Sequence, residues 1–275
     1  MPFHLIHINE HQVALHWHEW GKKDRPLVIC FHGFMGRGED WRFIAQDLQA
    51  SFHVIAPDLP FHGKTVLPDV LLEHPPDFRQ IVASLAQWLQ MVNKTPVGLL
   101  GYSMGGRLAL ALSLEFPHLV NKLVLESSSP GIPTESGRKK RQQTDTEMAA
   151  QIQDSDLEAF LRSWYQAPMW GNLNAHPDFE RLIAQRRQND PRQLVAALQS
   201  MGTGSQPSYW PHLETLAVPV LLLAGEFDSR YIHIMDAMRR QLPQAYFQVV
   251  AQCGHNIHFE QPEIFIKLVR NFLMD

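Results

Sequence analysis

Residues 96–116 read PVGLLGYSMGGRLALALSLEF, and this stretch decides the fold. Its centre, GYSMG, fits the pattern G-x-S-x-G, in which a serine stands on a sharp turn between a strand and a helix. The apolar run VGLL precedes the turn as a strand, and RLALALSLEF follows it as an amphipathic helix. Glycines on both sides of the serine let the two backbones approach closely. The stretch therefore predicts that Ser103 is held exposed at the end of a strand.

The same succession of strand and helix continues along the chain on both sides of this stretch. Strand-like apolar or alternating runs occupy 12–20, 26–31, 52–56, 96–100, 121–125 and 218–224. Amphipathic helical stretches separate them at 38–50, 77–93, 104–116 and 230–241, and Pro262 stands near the start of a closing helix. Short, uniformly apolar strands are typical of a parallel sheet covered on both faces. The alternation of strands and helices predicts an α/β fold with a mostly parallel, doubly wound sheet.

One long segment interrupts this pattern. Residues 130–212 are polar and rich in helical stretches, with arginine clusters in GRKKR and AQRRQ. We interpret this segment as a helical lid inserted between two strands of a core formed by 1–129 and 213–275. Segments inserted over the carboxyl edge of such a sheet commonly determine substrate specificity.

The composition is that of an ordinary globular protein, with 275 residues, 45% of them hydrophobic, and a net charge of −4. A negative net charge implies no general affinity for nucleic acid. The two cysteines, Cys30 and Cys253, stand in no zinc-binding or redox pattern, so we expect free thiols in a reducing cytoplasm. We find neither a signal-peptide pattern nor an apolar run long enough to span a bilayer. These features predict a cytoplasmic protein without membrane insertion, compatible with a monomer.

A reactive serine at neutral pH needs a histidine to take its proton and a carboxylate to orient that histidine. On this type of sheet the three residues follow the chain order serine, acid, histidine. His255, in the loop sequence GHNIH, is the candidate base. Asp228, in the loop after the strand-like run LLLAG, is the candidate acid, and its neighbour Glu226 is a weaker choice. Glu126 remains an alternative because it follows another strand, NKLVL, whose end also faces the site.

Most of the 15 histidines have no catalytic context. His258 is expected to be structural or to line the pocket. His16 and His18 point to the same face of a strand and could mimic a metal pair, but no third ligand is apparent. We therefore expect a solvated strand face there, with neither a metal nor a cofactor.

Two backbone N–H groups should form an oxyanion hole beside Ser103. One belongs to Met104, the residue after the serine, and the other to Phe34 in the loop sequence FHGFMG. His32 is expected to brace this loop rather than to react. Arg107 lies one helical turn beyond Ser103, so its guanidinium can face the same pocket.

Five stretches together resemble the α/β-hydrolase superfamily over nearly the whole chain: FHGFMGRGEDW, APDLPFHGKT, GYSMGGR, LLLAGEFD and CGHNIHFEQPE. One departure is Phe61, where that family commonly has glycine, and it predicts a differently shaped loop. GYSMGGRLAL, SSSPGI, the spacing R-x-x-R-x-x-x-D, WYQAPMW and MGTGSQPSYW resemble a narrower family. That family comprises the 2-succinyl-6-hydroxy-2,4-cyclohexadiene-1-carboxylate synthases of menaquinone and phylloquinone biosynthesis.

The resemblance implies a lyase that eliminates pyruvate from 2-succinyl-5-enolpyruvyl-6-hydroxy-3-cyclohexene-1-carboxylate. Ser103, activated by His255 and Asp228, would then act as a base on the carbon next to the succinyl ketone. The oxyanion hole would hold an enolate oxygen instead of a tetrahedral intermediate. No cofactor is implied. The alternative within the superfamily is a carboxylesterase or a carbon–carbon bond hydrolase, and a third possibility is a binding protein without chemistry.

A substrate with three carboxylates requires cations concentrated locally, because the net charge of the chain is negative. Arginine suits carboxylates through its planar fork of donors. The resemblance assigns substrate binding to Arg107 and to two lid residues, Arg141 and Arg186. Arg138 and Arg187 are the respective rivals for the lid positions. It also assigns Trp164 to the pocket wall and Tyr102 to a position against the serine.

Overall fold

A computed structural model describes residues 3–93 and 95–275. Its sheet has eight strands in the order β1-β2-β4-β3-β5-β6-β7-β8. The strands are β1 (Phe3–Ile8), β2 (His11–Trp20), β3 (Leu27–Phe31), β4 (His53–Pro57), β5 (Val97–Tyr102), β6 (Val120–Glu126), β7 (Val220–Gly225) and β8 (Ala245–Val250). β2 is antiparallel to both β1 and β4, and the remaining pairs are parallel. The prediction of a mostly parallel, doubly wound α/β sheet is confirmed.

Eleven α-helices connect these strands among the described residues. They are α1 (Arg42–Leu48), α2 (Val70–Glu73), α3 (Phe78–Val92), α4 (Met104–Glu115), α5 (Glu135–Asp154), α6 (Leu157–Trp164), α7 (Phe179–Arg186), α8 (Pro191–Met201), α9 (Ser229–Arg239), α10 (Ile257–Glu260) and α11 (Pro262–Met274). The predicted helix over 38–50 is divided into a 3-10 turn at Gly38–Trp41 and α1. No described helix is long and apolar enough to cross a bilayer.

Both faces of the sheet are covered, which is why its central strands are apolar throughout. Leu99 of β5 packs with residues of α3, α4 and α9, whereas its neighbour Leu100 packs with residues of α1 and α11. Successive side chains of a strand point to opposite faces, so each buried strand needs apolar residues at consecutive positions. All six residues of β5 and all six of β7 are buried.

Helices α5–α8 lie between β6 and β7 in the chain and contain an apolar cluster of their own. Ile152, Leu161, Leu182 and Leu194 are almost completely buried in it. Met35, from the loop after β3, belongs to the same cluster. The helical segment is therefore packed against the loop that was predicted to supply the oxyanion hole.

Phe61 occupies the left-handed region of backbone conformation, with φ at +68°. This region favours glycine, and a phenylalanine in this conformation is about 1–2 kcal/mol less stable than in the right-handed one. The ring is fully buried in the core, and that burial offsets the cost. The backbone therefore adopts the conformation typical of glycine at this position, and the ring fills space that glycine would leave.

Candidate active site

Ser103 stands between β5 and α4 with φ at +50°, a strained conformation for a residue other than glycine. Its backbone N–H donates to the carbonyl of Glu126 on the neighbouring strand at 2.9 Å. A Cβ on Gly105 would lie 2.4 Å from the carbonyl oxygens of Phe31 and His32. Only glycine permits this approach of helix to strand, so the packing around the turn requires glycine at position 105.

The structure brings Ser103, His255 and Asp228 together. His255 Nδ1 lies 2.6 Å from Asp228 Oδ2, and His255 Nε2 lies 2.9 Å from Ser103 Oγ. Because the carboxylate can only accept, Nδ1 carries the proton and Nε2 is free to accept from the serine hydroxyl. Asp228 and His255 are almost completely buried. This geometry can remove a proton from Ser103 and stabilise the imidazolium that results.

Three aromatic rings enclose the imidazole of His255. Those of Trp170, Tyr231 and Tyr102 have centroids 5.2, 4.7 and 5.5 Å from it. The backbone N–H of His255 donates to the carbonyl of Met169 at 3.0 Å. Residues from the segment between β6 and β7 thus help to fix the imidazole in place.

Glu126 lies against a different histidine. Its carboxylate accepts from the backbone N–H of His258 at 2.9 Å and from His258 Nδ1 at 2.7 Å. The His258 ring stacks on Trp41 and packs edge-to-face against Tyr102. Glu126 and His258 therefore form a second buried pair, separate from the carboxylate that contacts His255.

The loop after β3 is positioned by two buried histidines. His32 donates through Nδ1 to the carbonyl of Gly33 and accepts through Nε2 from the N–H of Leu59. His62 donates to the carbonyl of Pro60 and accepts from the N–H of Met35. Each ring therefore has to be neutral to make both of its hydrogen bonds.

Burial also favours the neutral form of both rings. It lowers the pKa of His32 below its ordinary value. Burial, with a smaller effect of nearby His32, lowers the pKa of His62 to about 3. The two imidazoles thus join the loops after β3 and β4 without carrying charge at neutral pH.

Phe34 and Met104 both line the cavity into which Ser103 faces. In the described part of the chain, neither backbone N–H donates a hydrogen bond to another protein group. Two unpaired amides beside a reactive oxygen are able to stabilise negative charge that develops on a substrate.

This cavity has a volume of about 260 Å³ and a strongly cationic wall. Three arginines line it, Arg107, Arg141 and Arg230, and no aspartate or glutamate is among its described lining residues. Trp164 forms part of the same wall. Such a site favours a small polyanion over a neutral ligand.

Arg107 is the most deeply buried of the three cations. It is 6% exposed and makes a long contact of 3.4 Å from Nη1 to Gln206 Oε1. Burial lowers the pKa of its guanidinium to about 10, and the positive charge of Arg141 acts in the same direction. Arg107 remains charged at neutral pH, and an anionic ligand would relieve the cost of burying it.

Arg141 faces the cavity and pairs with Asp145 at 2.7 Å. Its rival Arg138 donates to the carbonyls of Ile132 and Pro133 and does not line the cavity. Arg186 and Arg187 differ similarly: Arg187 is exposed and pairs with Glu158, whereas Arg186 is buried.

Arg186 does not line the cavity of Ser103. It pairs with Asp40 at 2.7 Å and lines a second cavity of about 490 Å³, together with His258 and Asn256. Burial by itself lowers the pKa of Arg186, but the negative charge of Asp40 outweighs it and raises that pKa above its ordinary value.

Tyr102 is also outside the residues that line the Ser103 cavity, since its ring lies between His255 and His258.

Arg230 and Tyr231 are among the residues of the cavity wall that sequence reasoning missed. They stand two and three positions after Asp228, in the first turn of α9, so their closeness in sequence to the proposed acid was the available signal. The expectation of a solvated strand face at His16 is wrong. His16 is 4% exposed, and its Nδ1 lies 2.8 Å from Asp58, which the fold brings to it from 42 positions away.

Comparison with known proteins points to one family. The family model described as alpha/beta hydrolase fold matches residues 26–262. A Serratia proteamaculans (strain 568) 2-succinyl-6-hydroxy-2,4-cyclohexadiene-1-carboxylate synthase is 33% identical over 93% of this chain and 96% of its own. A Bacillus subtilis (strain 168) protein whose name refers to the same synthase is 37% identical over 92% of both chains. The structure of MenH from S. aureus superposes with a TM-score of 0.87 at 28% identity, covering 97% of this chain and 98% of that one.

Proposed function

The chain belongs to the alpha/beta hydrolase fold family and, within it, to the 2-succinyl-6-hydroxy-2,4-cyclohexadiene-1-carboxylate synthases, and from this we propose how it works. It eliminates pyruvate from 2-succinyl-5-enolpyruvyl-6-hydroxy-3-cyclohexene-1-carboxylate. Ser103 is the base, and His255 and Asp228 activate it. The observation that carries this proposal is a serine at hydrogen-bond distance from histidine in a cavity lined by three arginines.

The reaction begins with proton transfer. His255 takes the hydroxyl proton of Ser103, and the serine oxygen removes the ring proton next to the succinyl ketone. The electron pair moves onto the ketone oxygen, which becomes an enolate. Collapse of the enolate forms one ring double bond and shifts the existing one, and the C–O bond to the enolpyruvyl group breaks. The leaving enolate takes up a proton and departs as pyruvate, so no redox partner is needed.

The backbone N–H groups of Phe34 and Met104 stabilise the enolate oxygen. Preorganised donors of this kind act where charge develops in the transition state, and their loss costs about 3–4 kcal/mol in enzymes that depend on them. Their position on the cavity wall beside Ser103 supports this assignment. Because the developing charge is an oxyanion in either case, the same groups serve proton abstraction and ester hydrolysis.

The substrate carboxylates are bound by cations on the cavity wall. We assign Arg107 and Arg141 to this role and add Arg230, which is exposed on the wall without an ion pair among the described residues. Trp164 packs against the ring of the substrate. Tyr102 holds the imidazoles of His255 and His258 apart, which fits a supporting role against the serine.

We further propose that residues 130–212 act as a lid over a core of 1–129 and 213–275. Arg186 belongs to this lid, and its ion pair with Asp40 supports a role in holding the lid over the site. A direct contact of Arg186 with the substrate would require that pair to rearrange. The two free, buried cysteines suit a protein of the reducing cytoplasm. The partner there is a small polycarboxylate, and neither nucleic acid nor a membrane is bound.

The test is release of pyruvate by the purified chain from the tricarboxylate substrate, without added metal or cofactor. We expect turnover by the wild type and a loss of at least about 10³-fold in Ser103→Ala. Absence of pyruvate, with rapid Ser103-dependent hydrolysis of p-nitrophenyl esters instead, would assign the chain to the carboxylesterases. Failure of Ser103 to react with an organophosphonate would point to a binding protein.

A further inference from the structure

Two histidines of β2 share one face of the sheet with the carboxylate that follows β4. His16 and His18 are two positions apart, so their side chains point the same way. β2 runs antiparallel to β4, and this register brings Asp58 beside both rings. His16 Nδ1 lies 2.8 Å from Asp58 Oδ2, and His18 Nε2 lies 3.9 Å from Asp58 Oδ1. One nitrogen of each imidazole and one Asp58 oxygen all lie within 4.8 Å of one another.

The orientation of His18 is fixed by a second carboxylate. His18 Nδ1 lies 2.8 Å from Glu39 Oε2 and donates its proton there. In the neutral ring, Nε2 then carries a lone pair that faces Asp58 at a distance too long for a hydrogen bond. An imidazole nitrogen and a carboxylate oxygen separated by such a gap can both coordinate a cation placed between them.

We propose that His16, His18 and Asp58 form a binding site for one divalent transition-metal ion, with Zn²⁺ as the fitting occupant. Two imidazole nitrogens and a carboxylate oxygen are a common ligand set for Zn²⁺, with bonds of about 2.0–2.2 Å. Such bonds place neighbouring ligand atoms about 3.3–3.5 Å apart. The imidazole nitrogens lie 2.8 Å from Asp58 Oδ2 (His16) and 3.9 Å from Asp58 Oδ1 (His18), and the three ligand atoms lie within 4.8 Å of one another. Side-chain adjustments of about 1–1.5 Å bring them to this spacing.

The surroundings of the three ligands support the assignment. A carboxylate on the second nitrogen of a metal-bound histidine fixes its tautomer and its orientation, and Glu39 occupies that position on His18. Asp58 is held by the backbone N–H groups of Gly38 and Lys64, at 2.7 and 2.8 Å. The His18 side chain is 20% exposed, which gives an ion access from solvent.

A bound ion would join three segments of the chain. His16 and His18 belong to β2, Glu39 to the turn after β3, and Asp58 to the loop after β4. The last two segments also carry the histidines that brace Phe34. We therefore expect the ion to stabilise the folded chain, and this inference does not depend on the proposed reaction.

The experiment uses the untagged full chain, freed of metal with a chelator and exchanged into chelator-free buffer. Zn²⁺ is added, and the metal retained after gel filtration and the melting temperature are measured. We expect one Zn²⁺ per chain and, at a hundredfold excess over Kd, a rise in melting temperature of about 5–10 °C. His18→Gln should lose both effects. His11→Gln, which removes a half-buried imidazole from the same strand, should keep both.

Retention of no Zn²⁺ by the wild type, or equal retention by His18→Gln, would overturn the proposal. If His18→Gln does not fold, Co²⁺ bound to the wild type gives the answer. Visible absorption distinct from that of aqueous Co²⁺, abolished by one equivalent of Zn²⁺, would support a site of imidazole and carboxylate ligands. A spectrum unchanged from aqueous Co²⁺ would refute it.

Discussion

Two carboxylates near Ser103 contact different histidines, and this separates their roles. The Asp228 carboxylate contacts the histidine that reaches the serine, and the Glu126 carboxylate contacts His258. We expect Asp228→Asn to lower turnover by about 10³-fold or more, because the imidazole loses its orientation and the support for its charge. Glu126→Gln should keep turnover within about tenfold of the wild type. Steady-state pyruvate release measures both, and the opposite order would transfer the role of acid to Glu126.

Arg107 and Arg230 face one cavity from two helices, so each should contribute to binding of an anionic substrate. Loss of one charge-assisted hydrogen bond costs about 2–3 kcal/mol, which corresponds to about 30- to 150-fold in kcat/KM. We expect Arg107→Gln and Arg230→Gln to show losses of this size. Arg138→Gln is the matched control, because Arg138 donates to the backbone carbonyls of Ile132 and Pro133 outside the cavity. This substitution should change kcat/KM by less than about threefold. A drop in melting temperature without a kinetic loss would contradict the assignment.

The residues of the site differ in how far the sequence could indicate them. Ser103, Asp228 and His255 stand in local patterns whose chain order is known for this type of sheet, and the fold brings all three together. Arg230 stands in no pattern, and only the start of α9 brings it to the cavity. The contact between His16 and Asp58 spans 42 positions, so no local window contains it.

At the scale of elements, the buried parallel strands could be predicted, whereas the edge strand β1 could not. β3, β4, β5 and β7 are buried on both faces, so their sequences are apolar at every position or nearly so. β1 lies at the edge of the sheet, and its residues FHLIHI alternate between exposed and buried. Two histidines weaken its apolar signal, and its pairing with β2 is what makes it a strand.

The loops after β3 and β4 depend on neutral histidines, so their stability depends on pH. The folded chain holds the pKa of His62 at about 3, whereas an unfolded histidine has its ordinary value of 6.5. Between these values the unfolded chain binds a proton that the folded chain does not bind. The contribution of His62 is therefore fully present above pH 6.5 and is lost as pH falls towards 3, at about 1.4 kcal/mol per unit.

Denaturant unfolding at pH 7 and at pH 5 tests this dependence. From pH 7 to pH 5 the free energy of unfolding of the wild type should fall by about 2 kcal/mol because of His62. In His62→Gln the free energy of unfolding should fall by about 2 kcal/mol less than in the wild type over the same pH range. His7→Gln, which removes an exposed histidine, should leave the fall unchanged. An equal pH dependence in the wild type and His62→Gln would exclude His62 as its source.

At the scale of the whole molecule, a protein of net charge −4 brings three arginines from distant parts of the chain to one cavity. Arg107 comes from α4 in the core, Arg141 from α5 between β6 and β7, and Arg230 from α9. The cavity with all three arginines therefore requires the segment containing α5–α8 to remain packed against the loop after β3, which contributes Met35 to the apolar cluster of that segment. Polar contacts hold it there, including Asn189 to the carbonyl of Met35 at 2.9 Å and the ion pair of Arg186 with Asp40.

That ion pair should dominate the attachment, because both of its side chains are buried. Removing one partner of a buried pair leaves an uncompensated charge and costs about 3–5 kcal/mol. We expect Asp40→Asn to lower the free energy of unfolding by this amount, and we expect the double variant Asp40→Asn/Arg186→Met to recover at least half of the loss. The control is Asp69→Asn at the exposed pair of Arg192 with Asp69, which joins the same two parts of the chain and should cost less than about 1 kcal/mol. Denaturant unfolding measures all three, and an equal loss in Asp40→Asn and the double variant would show that the charge of Arg186 is not the cause.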